Sequence, residues 1–266
     1  MKRMLALALA LVMAMSLGVC FTSCGQKNAD DLAYVKDKGK LVVGITEFEP
    51  MDYKDADGKW IGFDADTATA FAQYIGVDVE FVLIDWDSKT FELDAKNIDC
   101  VWNGMTLIDE VKSAMATSKP YFNNAQVVIV RADVADQYKT AEACKSLRFA
   151  VEKGSAGQAA AVANGFTCTE VADQQTALME VAAGTSDAAV IDFLMAVASV
   201  GEGTGYSNLT YTASLATEEY GVGFRKDSNL ADKLNEFFAA KAADGTLKQI
   251  ADKYGIGEYL ITDYSK

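Results

Sequence analysis

Short apolar runs alternate along the chain with stretches whose apolar residues recur at helical spacing. The runs fall at 40–45, 79–83, 98–102, 126–131, 147–151, 168–171 and 188–191, and each predicts a strand. Between them, 66–75, 156–164 and 174–183 are amphipathic and long enough to be crossover helices. A further helix is predicted at 193–199, an eighth apolar run at 220–225, and closing helices at 230–243 and 246–254, parted by Asp244-Gly245. Strands alternating with helices predict an α/β fold of parallel sheets flanked by helices. No internal repeat or low-complexity tract interrupts the pattern.

The N-terminal pattern is different. Lys2 and Arg3 precede an uninterrupted apolar run at 4–19, followed by Cys20 and Cys24. The run is short for a membrane span of ~20 residues and sits where a secretory signal sits. Small residues before the cut favour Thr22-Ser23-Cys24-Gly25 over the bulky Val19 before Cys20. Residues 1–23 are therefore expected to be a lipoprotein signal peptide, Cys24 the lipid-modified first residue, and 24–31 a polar tether. Phe21, an imperfect residue at that distance from the cysteine, leaves open plain secretion with Cys24 unmodified. Either way the expected location is outside the cytoplasm, with the lipid fixing the chain to the outer face of the bacterial cell membrane.

About 240 residues remain, enough for two modest domains or one large one. A net charge of −14 without a basic run excludes nucleic acid, whose phosphates demand clustered Lys and Arg. The chain has no histidine, which removes the usual general base and the commonest metal ligand. No metal and no cofactor are expected. Cys100, Cys144 and Cys168 have no zinc-site spacing, and either a Cys144–Cys168 disulfide or three buried free thiols fits.

In such sheets ligands bind beyond the C-terminal ends of strands, where helix N-termini present free N–H groups. Asn103-Gly104-Met105-Thr106 after the third predicted strand and Gly154-Ser155-Ala156-Gly157 after the fifth read as turns of that kind, each opening a helix. Their small residues admit a ligand to the backbone, and Thr106 and Ser155 add hydroxyls. A plain helix N-cap is the competing reading of such a pair.

Taken in order, the motifs resemble one family. Leu41-Val42-Val43-Gly44, Phe48-Glu49-Pro50-Met51, Gly62-Phe63-Asp64-Ala65-Asp66, Asn97-Ile98-Asp99 with Trp102 to Thr106, Lys119-Pro120-Tyr121, Gly154-Ser155, Gly184 to Ala188 with Asp192, and Asp244-Gly245-Thr246-Leu247 are similar to the family-3 solute-binding proteins. These are type II periplasmic binding proteins, receptors of polar amino-acid ABC importers, here in lipoprotein form. The resemblance implies two α/β lobes, each a mixed, mainly parallel sheet flanked by helices, joined by two hinge crossings. Lobe 1 would be 32–130 with 224–266 and lobe 2 would be 134–221, with the hinge near 130–133 and 221–225. It implies a monomeric, non-enzymatic receptor that closes around a small polar solute, a neutral polar or basic amino acid, and delivers it to an ABC transporter permease.

The resemblance also assigns residues. Phe48 and Trp86 would pack on the ligand's side chain, although core packing is a competing role. Asn103, Gly104 and Thr106 would supply hydrogen bonds from the first lobe, and Ser155 and Ala156 from the second. Glu152 would lie near the ligand's side chain. Asp192 would hold its ammonium group, or else cap the helix that follows it. One position departs from the family: where an arginine would fork the α-carboxylate, this chain has Val111. Lys112, Lys119, Arg131, Arg148 or Lys153 could reach in instead, the backbone amides could suffice, or the ligand could be an amine lacking the α-carboxylate. Glu47, Glu49, Asp85 and Glu152, if near the cleft, would make it negative and disfavour glutamate and aspartate. Two rival functions are a secreted dehydratase of cyclic amino acids, using those carboxylates, and a sensor module.

Overall fold

The computed structural model describes residues 30–264. The predicted signal segment, Cys24 and most of the tether lie outside the described residues. Helix α1 (Asp31–Lys38) opens the described chain: Asp30 caps it by accepting from Ala33 N, and Gly39 closes it in the left-handed conformation. Asp31, placed in the tether on sequence grounds, is instead the buried first residue of this helix. Arg225 Nε donates to its carboxylate at 3.0 Å. The same guanidinium reaches Ile98 O at 2.7 Å and Asp99 Oδ1 at 3.2 Å, so the buried charges are mutually satisfied.

The first half of the chain runs through β1 (Lys40–Ile45), a small hairpin of β2 (Tyr53–Lys54) and β3 (Trp60–Ile61), α2 (Phe63–Ile75), β4 (Asp78–Leu83), α3 (Lys89–Asp94) and β5 (Cys100–Thr106). After α4 (Asp109–Ala114), β6 (Ala116–Thr117) and the long β7 (Phe122–Arg131) come α5 (Ala141–Cys144), β8 (Arg148–Glu152), α6 (Ala156–Ala163) and β9 (Thr167–Val171). Helix α7 (Gln174–Ala183), β10 (Ala188–Asp192) and α8 (Phe193–Ser199) follow, then β11 (Leu209–Phe224), α9 (Leu230–Ala243) and α10 (Thr246–Lys253).

The main sheet has the order β4-β1-β5-β11-β7-β10-β8-β9, with β6 also paired to β11. Its two ends are parallel trios, β4-β1-β5 and β10-β8-β9. The middle is an antiparallel ribbon of β7 and β11, paired from Phe122–Tyr220 to Arg131–Leu209. Residues 220–224 of β11 pair with β5, and 126–130 of β7 pair with β10. The expected crossings at 130–133 and 221–225 thus fall at ends of the ribbon strands.

Both faces of β1, β5, β8 and β10 are covered, which is why these strands read as continuous apolar runs, whereas the edge strands β4 and β9 carry exposed residues. Val127, Ile129 and Ile191 face Leu178 and Val181 of α7, whereas the alternate residues Val128, Val130 and Val190 pack with Phe149 and with Ala161 of α6. In the other trio, Leu41 and Val43 meet Phe71 of α2 and Phe238 of α9, and Val42 and Val101 meet Leu93 of α3. Each such side chain contributes roughly 1.5–3 kcal/mol by leaving water.

Two expectations are corrected. The stretch from Asn103 to Thr106 is not a turn opening a helix: it is the end of β5, and the following helix starts at Asp109. Glycine is required at 104, since φ is +54° and a Cβ there would come within 2.6 Å of the Phe48 ring. The second concerns burial: of the two alternatives for the cysteines the free thiols are found, Cys100 and Cys144 buried, but Cys168 is only half-buried.

Candidate functional site

The C-terminal ends of the parallel strands of both trios open onto one cavity of about 740 Å³. All nine residues assigned from the sequence line it: Phe48, Trp86, Asn103, Gly104 and Thr106 on one side, Glu152, Ser155, Ala156 and Asp192 on the other.

Phe48 follows β1, is buried, and meets Tyr220 edge to face with ring centroids 6.3 Å apart. Trp86 sits in a single 3-10 turn after β4, also buried. Asn103 lines the cavity with its side chain already bonded. Its Oδ1 accepts from Thr46 N at 3.1 Å and Thr46 Oγ1 at 2.7 Å, and its Nδ2 donates to Thr46 O at 3.0 Å and Asp52 Oδ2 at 2.8 Å. That fills the capacity of an amide, so Asn103 fixes the loop after β1. The Gly104 N–H is engaged as well, donating to Asp64 Oδ2 at 2.6 Å, where Tyr121 Oη also donates at 2.8 Å. Burial raises the carboxyl pKa of both Asp64 and Asp52. Thr106 Oγ1 donates to Glu218 Oε1 at 2.8 Å. The donor roles expected of the Asn103 side chain and the Gly104 amide are therefore filled within the protein.

Across the cavity, Ser155 is the N-cap of α6 and accepts from Gln158 N at 3.0 Å, so it caps the helix and lines the cavity at once. Gly154 before it has φ +71°, and a Cβ there would lie 2.9 Å from the Asp87 backbone. Glu152 ends β8, is buried, and leaves Oε1 without a partner among the described residues. Burial, helped by the charge of Asp173, pushes its carboxyl up to about 8, with Lys89 opposing. Asp192 occupies the N-cap position of α8, but its side chain makes no capping bond. Its Oδ1 accepts from Asn124 at 2.6 Å, Gln126 at 3.1 Å and Tyr220 Oη at 2.6 Å, and its Oδ2 from Gln174 at 2.5 Å. Asn124 and Gln126 also donate to Glu218 Oε1, at 2.7 and 2.8 Å. Burial first, and the charge of Glu218 second, push the Asp192 carboxyl well above its usual range.

Val111 on α4 is buried and lines the same cavity. None of the five cations considered as its replacement does. Arg131 pairs with Asp133 at 2.6 Å, Arg148 with Asp187 at 2.9 Å and Lys153 with Asp87 at 2.9 Å. Lys112 is exposed, and Lys119 Nζ donates to Tyr264 O at 3.2 Å. The cation in the wall is Lys89, which sequence reasoning passed over. Its Nζ lies 4.8 Å from the Trp86 ring centroid and donates to Trp86 O and Gly154 O, each at 3.1 Å. The acids are also redistributed: Glu47 and Asp85 are exposed, Glu49 is half-buried outside the cavity, and of the four only Glu152 lines it. Glu218 was missed because the first part of β11 mixes exposed and half-buried residues, with no apolar run to mark a strand.

The sequence model of the bacterial extracellular solute-binding proteins, family 3, matches residues 41–258. The L-cystine-binding protein TcyJ of Escherichia coli is 29% identical over 224 residues, 83% of this chain and 84% of the relative. The L-arginine-binding protein of Pseudomonas aeruginosa is 30% identical over 225 residues, 80% of this chain and 86% of the relative. Among solved structures, an ABC uptake transporter substrate-binding protein from Streptococcus pneumoniae with bound histidine superposes with a TM-score of 0.80 at 28% identity, covering 89% of this chain and 100% of the other. The ancestral amino acid-binding protein AncCDT-1, a precursor of cyclohexadienyl dehydratase, gives 0.77 at 29% identity, covering 85% and 99%.

Proposed function

The chain belongs to the bacterial extracellular solute-binding proteins of family 3, and from that premise we propose that it is the receptor of an ABC importer, closing two lobes around an amino acid with a neutral polar or basic side chain. The observation that carries the reading is a single cavity with aromatic Phe48 and Trp86 on one wall and the buried acids Glu152 and Asp192 on the other. Aromatic faces receive the carbon chain, Asp192 receives the ammonium, and Glu152, with its unpaired oxygen, receives a donor at the far end of the side chain. Relatives that bind cystine, arginine and histidine support this class of ligand.

The lobes of the proposal are the β4-β1-β5 trio with 224–266 and the β10-β8-β9 trio. The β7–β11 ribbon is their hinge, with its pivot where pairing passes from one trio to the other, near 122–126 and 216–220. We assign Cys24 as a lipidated N-terminus that holds the receptor at the outer face of the membrane beside its permease. The dehydratase reading rests on cleft carboxylates, and of the four acids it would draw on, only Glu152 reaches the cavity.

A thermal-shift screen of the twenty amino acids, polyamines and small organic acids tests the function, since a ligand bound only by the folded state raises its melting temperature. Arginine, lysine, histidine, glutamine or cystine should stabilise, with aspartate and glutamate silent. Stabilisation by none of the amino acids or amines would overturn the reading. Mass spectrometry of membrane-extracted protein should find lipid on Cys24; an unmodified N-terminus elsewhere would remove the anchor.

A further inference from the structure

A cavity that takes a free amino acid must neutralise an α-carboxylate. A carboxylate removed from water needs a cation or several aligned donors. On the β5 wall the neutral donors are committed: the Asn103 amide binds Thr46 and Asp52, the Gly104 N–H binds Asp64 and the Thr106 hydroxyl binds Glu218, which leaves the Ser155 hydroxyl opposite as a single neutral donor. Val111 donates nothing. Among the described residues lining the cavity, Lys89 is the one cation.

Its ammonium has three N–H groups. Two are fixed on the carbonyls of Trp86 and Gly154, and the structure pairs Lys89 with no carboxylate among the described residues. Trp86 follows β4 of one trio and Gly154 follows β8 of the other, so the ammonium already spans the two walls. With two N–H groups held, tetrahedral nitrogen fixes the direction of the third. We propose that Lys89 is the anion anchor of this site: its third N–H takes the ligand's carboxylate while the other two hold the facing walls together. This rests on the reading of the protein as an amino-acid receptor. Burial lowers the pKa of this ammonium, with the charges of Glu152, Asp87 and Glu110 opposing that shift.

The anchor separates an amino acid from the amine left when its carboxylate is removed. Calorimetric titration with arginine and agmatine, histidine and histamine, and cystine and cystamine measures that separation directly. The intact protein should prefer the amino acid of the pair it binds. In Lys89→Met, affinity for that amino acid should fall roughly 10- to 100-fold further than affinity for its amine, as for loss of one charge-assisted hydrogen bond, while any loss common to both reports the two bonds to the walls. Lys89→Arg, which keeps the charge, should retain most of the preference. Melting without ligand establishes that both variants fold. A Lys89→Met protein that keeps the parental amino-acid-to-amine ratio overturns the proposal, and so does one that weakens acid and amine alike, since that marks a role in closure alone. An intact protein that binds no amino acid and no amine in the thermal-shift screen fails at the earlier step, and it is then the receptor reading that falls; one that binds an amino acid outside these pairs is titrated with that amino acid and its own decarboxylated amine.

Discussion

Tyr220 Oη donates to Asp192 Oδ1 at 2.6 Å. Tyr220 pairs with Thr106 of the first trio through β11, whereas Asp192 ends β10 of the second, so this bond joins the cavity-lining acid to the ribbon between the two trios. Removing the carboxylate leaves a ligand ammonium buried and unpaired. Asp192→Ala should weaken binding by roughly 3–5 kcal/mol, on the order of a thousandfold, with the fold intact. Tyr220→Phe, which keeps Asp192 but removes one donor, should cost about tenfold. Binding by Asp192→Ala within about threefold of the parent would refute the assignment.

Glu152 makes binding depend on pH. Burial pushes its carboxyl up to about 8, against an ordinary value of 4.5, so near neutrality it is mostly protonated. A cationic ligand beside it favours the ionised form and drives the proton off. Affinity for a basic ligand should therefore rise from pH 6 to about 8, and calorimetry at pH 7 in buffers of different ionisation heat should register proton release. Glu152→Gln should flatten both. The empty protein should behave in the opposite sense: the folded state holds this proton more tightly than the unfolded one, so the contribution to stability falls as pH climbs from about 4.5 through about 8. Equal heats in all buffers would count against it.

Arg225 is the stability counterpart. Its guanidinium is buried between Asp31 and Asp99, and Lys38 Nζ reaches only Asp99, at 2.6 Å. Arg225→Met leaves Asp31 buried without its cation, at about 3–5 kcal/mol. For a chain of this size that is a drop in melting temperature of roughly 6–20 °C. A drop of only one or two degrees would show that the N-terminal helix contributes little.

Val111 offers a rescue. It lines the cavity that contains Lys89 but packs among Met105, Met115 and Leu93. Val111→Arg alone should destabilise by about 1–3 kcal/mol through overpacking. In the Lys89→Met background it should return the preference for an amino acid over its amine. A double variant no better than Lys89→Met would mean that a guanidinium at 111 does not reach the carboxylate.

Much of the site was legible because the physics that makes a ligand pocket in a parallel sheet also marks the sequence. Gly104, Ser155 and Ala156 are small where a backbone must be approached, and Asp192 ends an apolar run at the rim of a strand. The bonding state of those residues was not legible. Asn103 looks like a free donor until Thr46 and Asp52 are seen around it, more than fifty residues away in sequence for both. Lys89 left no signal, since a lone lysine after a predicted strand reads as a solvated charge and only the approach of Gly154 makes it a bridge. Glu47 and Asp85 immediately precede Phe48 and Trp86, yet both acids are exposed while both rings are buried, a difference that the sequence does not mark. The ribbon was found only at its apolar ends, because 210–219 carries alternating polar residues on a half-exposed strand.

The bond between Asp31 and Arg225 bears on which half of the proposed receptor would be the stationary jaw. Through Asp99 and Ile98 it welds α1 to the first trio, so whatever precedes Asp30 departs from that lobe. From Cys24, the proposed anchor, to Asp30 the chain reaches at most about 20 Å. Under the proposed anchor, the first lobe would be moored close to the bilayer, and ligand capture would be the swing of the β10-β8-β9 lobe against it. A permease beside it would sense loading chiefly as a change in where that outer lobe stands.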